Sequence, residues 1–216
     1  MAGDVLSFAL LSLSSIIIIV NPLGATLLYV SLTATLDRPA REIVAKDACR
    51  FALLILLFVA VLGAWILQLF GISLEAFRIA GGILLFGIGM EMVYAKTSRT
   101  KLTATEKYEF RETDDISIMP LAIPMIAGPG AITTTIVLMN EAIVITPVAI
   151  GIVFFSIAIS IIITYYMMRN SDYIMSKIGQ REYRAINRLM GMLLIAIAVQ
   201  FIINGIKMAF PLFTGS

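Results

Sequence analysis

Long apolar runs separated by short polar and charged stretches make up most of the sequence. About 20 consecutive apolar residues are enough for a helix to cross a bilayer, so the pattern predicts an all-α membrane protein. Six spans are expected, at residues 5–36, 48–70, 76–95, 116–140, 145–168 and 185–210. The first is longer than a straight crossing needs, which fits a helix that is interrupted along its length.

Composition supports this assignment and excludes several kinds of site. Of the 216 residues, 60% are hydrophobic and 14% are charged, more apolar surface than a soluble core of this size can bury. The chain has a single cysteine, Cys49, and no histidine, which excludes an internal disulfide and the usual metal ligand or proton relay. No metal, cofactor or nucleic-acid partner is expected.

Positive side chains are concentrated in alternate connections between the predicted spans. The connections after spans one, three and five carry nearly all of them, whereas the opposite connections hold only Arg78 and Lys207. By the positive-inside rule the basic connections are cytoplasmic, so both termini are expected outside a cell membrane. The charged stretch 101–115 is the expected cytoplasmic linker between two halves, 1–100 and 116–216.

Two of the predicted spans contain proline and glycine near their midpoints. The first has Asn21-Pro22-Leu23-Gly24 and the fourth has Gly128-Pro129-Gly130. Proline removes a backbone donor, and the freed groups are tolerated at membrane depth only where they face protein or a polar cavity. Interruptions at matching places in two spans therefore indicate a binding site.

The two halves of the chain also resemble each other in sequence. The stretch 82–91 aligns with 191–200, and nearly the same shift lays Asn21-Pro22 over Gly128-Pro129. A repeat of three spans must insert the second copy upside down. The expected fold is therefore six transmembrane helices in two inverted three-helix repeats, with helices 1 and 4 broken near the membrane midplane.

Each interruption exposes the partly charged ends of two half-helices. Free amides at a helix start favour a carboxylate, and free carbonyls at a helix end favour an ammonium or a small cation, so a small zwitterion suits the pair. The alternative is that proline and glycine only kink packed helices while the threonines bond their own backbone. The candidate substrate-binding residues are Asn21, Pro22, Leu23, Gly24, Ala25, Thr26, Gly128, Pro129, Gly130, Ala131, Thr133 and Thr134, with Thr135 adding another hydroxyl.

Three motifs together carry a resemblance to a known family. They are Asn21-Pro22-Leu23-Gly24, the run from Phe70 to Leu85, and Pro120-Leu121-Ala122-Ile123-Pro124 leading into the run 127–133. With these motifs the sequence resembles the MarC/SnatA family over nearly its whole length. The resemblance implies a six-span inner or plasma membrane protein that transports small neutral amino acids such as glycine and alanine, driven by the proton gradient.

A secondary carrier working by alternating access is therefore the expected function, with a proton or otherwise sodium as the coupling ion. The alternatives are an exporter or channel for another small polar solute, and an intramembrane enzyme. For the enzyme the sequence offers no evident nucleophile and base, so no enzymatic activity is expected. No oligomeric state is predicted.

Several side chains outside the interruptions have two interpretations. Glu91, near the end of span three, is either a proton-coupling carboxylate or an acid at the membrane interface. Arg78 is expected to pair with Glu75. Small residues on one helical face predict close helix packing, at Gly82 and Gly89 and again at Gly191 and Ala198. Gln200 and Asn204 either line a cavity or bond a neighbour.

Overall fold

The structure, a computed structural model, describes residues 2–94 and 116–210, and every regular element in these ranges is helical. The predicted linker at 101–115 lies outside the described residues. In chain order the elements are α1 (Ala2–Val20), α2 (Pro22–Leu32), α3 (Arg38–Leu69), α4 (Leu74–Tyr94), an irregular segment (Ser117–Ile126), α5 (Pro129–Ile145), α6 (Pro147–Arg169), α7 (Ser171–Lys177) and α8 (Gln180–Ala209).

Five stretches of the described chain are long and apolar enough to cross a membrane as helices. They are Val5–Leu32, Arg38–Leu69, Leu74–Tyr94, Pro147–Arg169 and Arg181–Ala209. The irregular segment and α5 form a sixth candidate as a pair bent by 53°. The expectation of a helical protein with several membrane spans is confirmed.

Helix α3 begins well before the start predicted for the second span. Asp37 caps it, its side chain accepting a hydrogen bond from the Ala40 amide at 3.0 Å, and a proline lies in the first turn. Arg41 and Lys46, expected in a connection, therefore lie on the helix. Thr146 caps α6 in the same way, accepting from the Ala149 amide at 3.2 Å.

Helices α4 and α8 are in close antiparallel contact along the predicted stripe of small residues. A Cβ atom on Gly82 would lie 2.8 Å from the carbonyl oxygen of Ala198, and one on Gly191 would lie 2.9 Å from that of Gly89. Further along, a Cβ atom on Gly205 would lie 3.1 Å from the carbonyl oxygen of Glu75. The backbones approach so closely that side chains do not fit between them, which confirms the predicted packing.

The core around the two interruptions is built mainly by α3 and α6. Helix α6 packs against α1, α2, α3 and α5, while α3 also packs against the irregular segment and α5. Their facing surfaces carry small and branched side chains that are fully buried, at Ala48, Ala52, Leu56, Val153 and Ile157. These two helices hold the ends of α1, α2 and α5 in place.

Candidate functional site

The first interruption is a single residue, Asn21, between α1 and α2. Its backbone is left-handed, with φ 50° and ψ 68°, a conformation that asparagine adopts more readily than most residues. The side-chain oxygen of Asn21 accepts a hydrogen bond from the Gly24 amide at 3.1 Å and so caps α2. Because Pro22 has no N–H, the carbonyl of Ile18 loses the donor that a continuous helix would provide.

The second interruption lies between the irregular segment and α5. Met119 and Ile123 have extended backbones, with φ −125° and ψ 124° and with φ −125° and ψ 125°. Each precedes a proline, Pro120 or Pro124, through a cis peptide bond, and a residue before proline is pushed away from helical geometry. These two extended residues were not predicted from the sequence, although the paired X-Pro steps were a signal for them.

Helix α5 starts without a side-chain cap, unlike α2. Gly128 precedes it in an extended conformation, and Pro129 is its first residue. The next two amides, of Gly130 and Ala131, have no acceptor within the helix, and the residue before the helix has no side chain to supply one. Both of these residues are buried, so α5 presents free amides inside the protein.

The two interruptions lie close together in space. A Cβ atom on Gly130, in the first turn of α5, would lie 3.5 Å from Cγ2 of Ile19, in the last turn of α1. In the same way, a Cβ atom on Gly24 would lie 3.1 Å from Cε of Met125, just before the second interruption. The carbonyl end of α1 therefore adjoins the amide end of α5.

The structure explains why glycine occupies three positions of this site. A side chain on Gly24 would meet the Asn21 carboxamide, and one on Gly128 would meet the carbonyl oxygen of Pro124. On Gly130 a Cβ atom would lie 2.7 Å from Cδ2 of Leu85, on α4. Nine of the candidate residues are buried, namely Pro22, Gly24, Ala25, Thr26, Gly128, Gly130, Ala131, Thr133 and Thr134, whereas Asn21 and Leu23 are partly exposed and Pro129 is exposed.

The threonines behave in two different ways. Thr26 donates its hydroxyl hydrogen to the Pro22 carbonyl at 2.7 Å, and Thr133 donates to the Pro129 carbonyl at 2.9 Å. For these two the expectation of bonding to their own backbone is correct. The hydroxyl oxygens of Thr134 and Thr135 are buried and have no hydrogen-bond partner in the described part of the chain.

Glu91 lies near the site but not in it. It is half-buried on α4, one turn beyond Ile88, whose Cδ1 would lie 3.6 Å from a Cβ atom on Gly130. None of the ion pairs between described residues involves Glu91. Both interpretations of Glu91 stay predictions.

A buried ion pair joins α4 to the end of α5 that is farther from the interruption. Nη2 of Arg78 lies 2.8 Å from Oε1 of Glu141, and the arginine side chain is only 4% exposed. The expectation that Arg78 pairs with Glu75 is wrong, because the packing of α4 against α5 brings Glu141 to the guanidinium. Nη1 of Arg78 also lies 3.4 Å from Sδ of Met208, on α8.

A second polar cluster fastens the far end of α2. The Tyr29 hydroxyl donates to the carbonyl oxygen of Arg41 at 2.8 Å. The Arg41 guanidinium in turn lies 3.0 Å from Oδ1 of Asp172 and 3.2 Å from Oγ of Ser171. This cluster was not predicted from the sequence, since its members come from α2, α3 and α7. Each half-helix that follows an interruption, α2 or α5, is thus bonded to a neighbouring helix at the end farther from the interruption.

Gln200 and Asn204 form a hydrogen bond with each other. Nε2 of Gln200 donates to Oδ1 of Asn204 at 2.8 Å, across one turn of α8. Bonding to a neighbour is thus confirmed for this pair, and lining a cavity stays a prediction.

Comparison with known proteins shows which family the chain belongs to. A sequence model of the MarC family integral membrane protein matches residues 6–210. The UPF0056 membrane protein MJ1677 of Methanocaldococcus jannaschii is 43% identical over 205 residues, which cover 94% of this chain and 97% of the relative. The UPF0056 membrane protein YvbG of Bacillus subtilis is 37% identical, over 93% of this chain and 94% of its own. The UPF0056 membrane protein YhcE of Escherichia coli is also 37% identical, over 89% of each chain.

No solved structure matches the chain. With a match over nearly its whole length, the chain belongs to the MarC family of integral membrane proteins and crosses the membrane several times.

Proposed function

We propose that the protein is a secondary transporter that moves small neutral amino acids, of the glycine and alanine type, across the cell membrane by alternating access. The observation that carries this proposal is the contact between Ile19 and Gly130, because it joins the carbonyl end of one half-helix to the uncapped amide end of another. Transporters place their substrate sites where discontinuous helices meet.

Recognition of a zwitterion follows from the charge at these two helix ends. The amides of Gly130 and Ala131 carry partial positive charge and bind the substrate carboxylate. The Ile18 carbonyl, which lacks a donor because of Pro22, accepts from the substrate ammonium. No full side-chain charge is needed, so a ligand with zero net charge is preferred.

Selection for a small side chain follows from the packing at α5. A Cβ atom on Gly130 would lie 2.7 Å from Leu85, so one extra carbon there already displaces this side chain, while Ile19 at 3.5 Å is in van der Waals contact. Any ligand beside this backbone must move Leu85 aside, and the displacement of α1, α4 and α5 grows with the size of the ligand, so a hydrogen or methyl side chain is favoured over a branched or aromatic one.

Two inverted repeats provide the symmetry for alternating access, and the contacts of α4 with α8 support them. The shift that carries Gly82 onto Gly191 also carries Gly89 onto Ala198 and Val93 onto Ile202. A Cβ atom on Gly82 meets Ala198 and Ile202, and one on Gly191 meets Gly89 and Val93. Each contact is thus matched by its counterpart, as a two-fold axis in the membrane plane requires.

The two polar clusters are suited to closing the site from opposite sides. With the basic connections in the cytoplasm and both termini outside, Tyr29, Arg41 and Asp172 lie on the inner side, and Arg78 and Glu141 lie on the outer side. Opening one cluster frees α2 and opening the other frees α5, so that access alternates. Glu91 is the candidate carboxylate for coupling to a proton gradient, which the family resemblance implies.

The test is counterflow of labelled glycine into liposomes that contain the purified protein and unlabelled glycine, with no ion gradient. Saturable uptake that L-alanine inhibits and L-phenylalanine does not is the expected result. Uptake that rises linearly with glycine concentration and that no amino acid inhibits would instead support the alternative, a channel or exporter for another small polar solute.

A further inference from the structure

Six buried hydroxyl groups in the described part of the chain bond to the backbone one turn earlier on their own helix. Each of these hydroxyls donates to the carbonyl four residues before it, at 2.7 to 2.9 Å: Thr26, Thr33, Thr133, Ser156, Ser160 and Thr164. This bond satisfies a hydroxyl inside a membrane without any partner on another helix. Buried hydroxyls that lack this bond can therefore be recognised as exceptions.

Four other buried hydroxyls have no hydrogen-bond partner at all among the described residues. Ser12, Ser15, Thr134 and Thr135 are each 0% exposed, and their hydroxyl oxygens have no hydrogen-bond partner in the described part of the chain. Two of them lie on α1 and two on α5, and these two helices pack against each other. Buried polar groups without a partner are rare in native proteins and often mark the position of a water or an ion.

The four hydroxyls lie at nearly the same depth. The contact between Ile19 and Gly130 joins the last turn of α1 to the first turn of α5, so the two helices run side by side and antiparallel from that point. At about 1.5 Å per residue, all four hydroxyl-bearing residues lie about 6 to 11 Å from the contact, measured along the helix axes. They are therefore on one side of the interruptions.

Two of the four also share a common interface. Ser15 comes one turn before Ile19 and so lies on the face of α1 that contacts α5. Thr134 comes one turn after Gly130 and lies on the face of α5 that Gly130 turns toward Leu85 on α4 and Ile19 on α1. Both hydroxyls thus lie where α1 and α5 pack against each other, and neither has a hydrogen-bond partner in the described part of the chain.

We propose that the hydroxyl oxygens of Ser15 and Thr134, with Ser12 and Thr135 beside them, form a binding site for sodium between α1 and α5. Hydroxyl oxygens are hard neutral ligands. They suit a monovalent cation, whereas divalent cations are held by carboxylates. The role of this ion as the coupling ion rests on the proposed transport function, but its binding does not.

The site is tested by binding of radioactive sodium to the purified protein in lipid nanodiscs. Saturable binding that unlabelled sodium displaces, and that potassium and choline at equal ionic strength do not, is the expected result. Ser15→Ala and Thr134→Val should each weaken binding at least tenfold. Ser160→Ala is the matched control, because Ser160 is equally buried but bonds to the Ser156 carbonyl.

Thr134→Ser keeps the hydroxyl and should retain binding, which separates loss of the ligand oxygen from loss of the fold. The proposal is overturned if the native protein shows no saturable sodium binding, or if Ser15→Ala and Thr134→Val bind sodium as tightly as the control. Either result would mean that the hydroxyls hold only water.

Glycine counterflow measured with the same sodium concentration on both sides of the membrane distinguishes the failure of this site from the failure of the transport proposal. If the protein shows counterflow but does not bind sodium, only the sodium-site proposal is refuted. If the protein binds sodium but shows no counterflow, only the transport proposal is refuted.

Discussion

Ile19 lies beside Gly130, 3.5 Å from where a Cβ atom on this glycine would be, although more than half of the chain separates them, and each belongs to the helix end beside an interruption. The pairing brings a helix end rich in carbonyls against a helix start rich in amides. A site made in this way depends on backbone groups, so it is sensitive to any side chain that pushes the backbones apart.

The first prediction concerns bulk at the site. Gly130→Val should reduce glycine counterflow at least tenfold, because a Cβ atom at this position would lie 2.7 Å from Leu85 and 3.5 Å from Ile19. Gly151→Ala is the control, since nothing lies within 4 Å of a Cβ atom there. Transport is measured on protein that elutes as a single species by size exclusion. Equal counterflow in both variants would refute the assignment of the site.

The second prediction concerns the cap at the first interruption. Asn21→Ala removes the acceptor for the Gly24 amide and forces a left-handed alanine, so it should destabilise the protein by about 1 to 2 kcal/mol. Asn21→Gly accepts the left-handed backbone and should cost only a few tenths of a kcal/mol. Unfolding in mixed detergent micelles measures both. The same loss in the two variants would show that backbone conformation is not the main cause.

The third prediction concerns the buried arginine. Glu141→Gln leaves the Arg78 guanidinium without its countercharge and should cost about 2 to 3 kcal/mol, less than for a wholly buried pair because Glu141 is partly exposed. Glu75→Gln should change stability by less than about 0.5 kcal/mol. The measurement is again unfolding in mixed micelles. A larger effect at Glu75 would support the partner expected from sequence instead of the one in the structure.

Orientation gives the fourth prediction. Cys49 is buried and should not react, so single cysteines placed elsewhere report their own accessibility. Val144→Cys, at the end of α5, should react with a membrane-impermeant maleimide added to whole cells, whereas Ser176→Cys, on exposed α7, should react only after the cells are opened. The reverse pattern would place the basic connections outside the cell.

Local chemistry explains why part of the fold and of the site was predictable. The apolar runs are long because a span needs that length, so the cores of the helices could be found from sequence. Proline at positions 22 and 129 marked the starts of α2 and α5, since proline is tolerated in the first turn of a helix and not in its interior. The small residues of α4 and α8 marked their packing faces.

Other features needed contacts between distant parts of the chain. Arg78 has Glu75 nearby on its own helix, yet it pairs with Glu141 because α5 packs against α4. Thr133 bonds its own backbone whereas the adjacent Thr134 does not, a difference that the two identical side chains do not indicate. Neither outcome can be derived from the order of residues.

By itself, then, the sequence determined that the chain crosses the membrane several times, that helices begin at Pro22 and Pro129, and which helix faces carry small residues. These properties follow from hydrophobic length and from the backbone limits of proline and glycine, which act within one or two turns. Only the tertiary structure decided which helix ends meet, which charges pair and which hydroxyls are left without a partner. Those outcomes depend on the packing of helices far apart in the chain, because inside a membrane a polar group bonds to whatever that packing brings within reach.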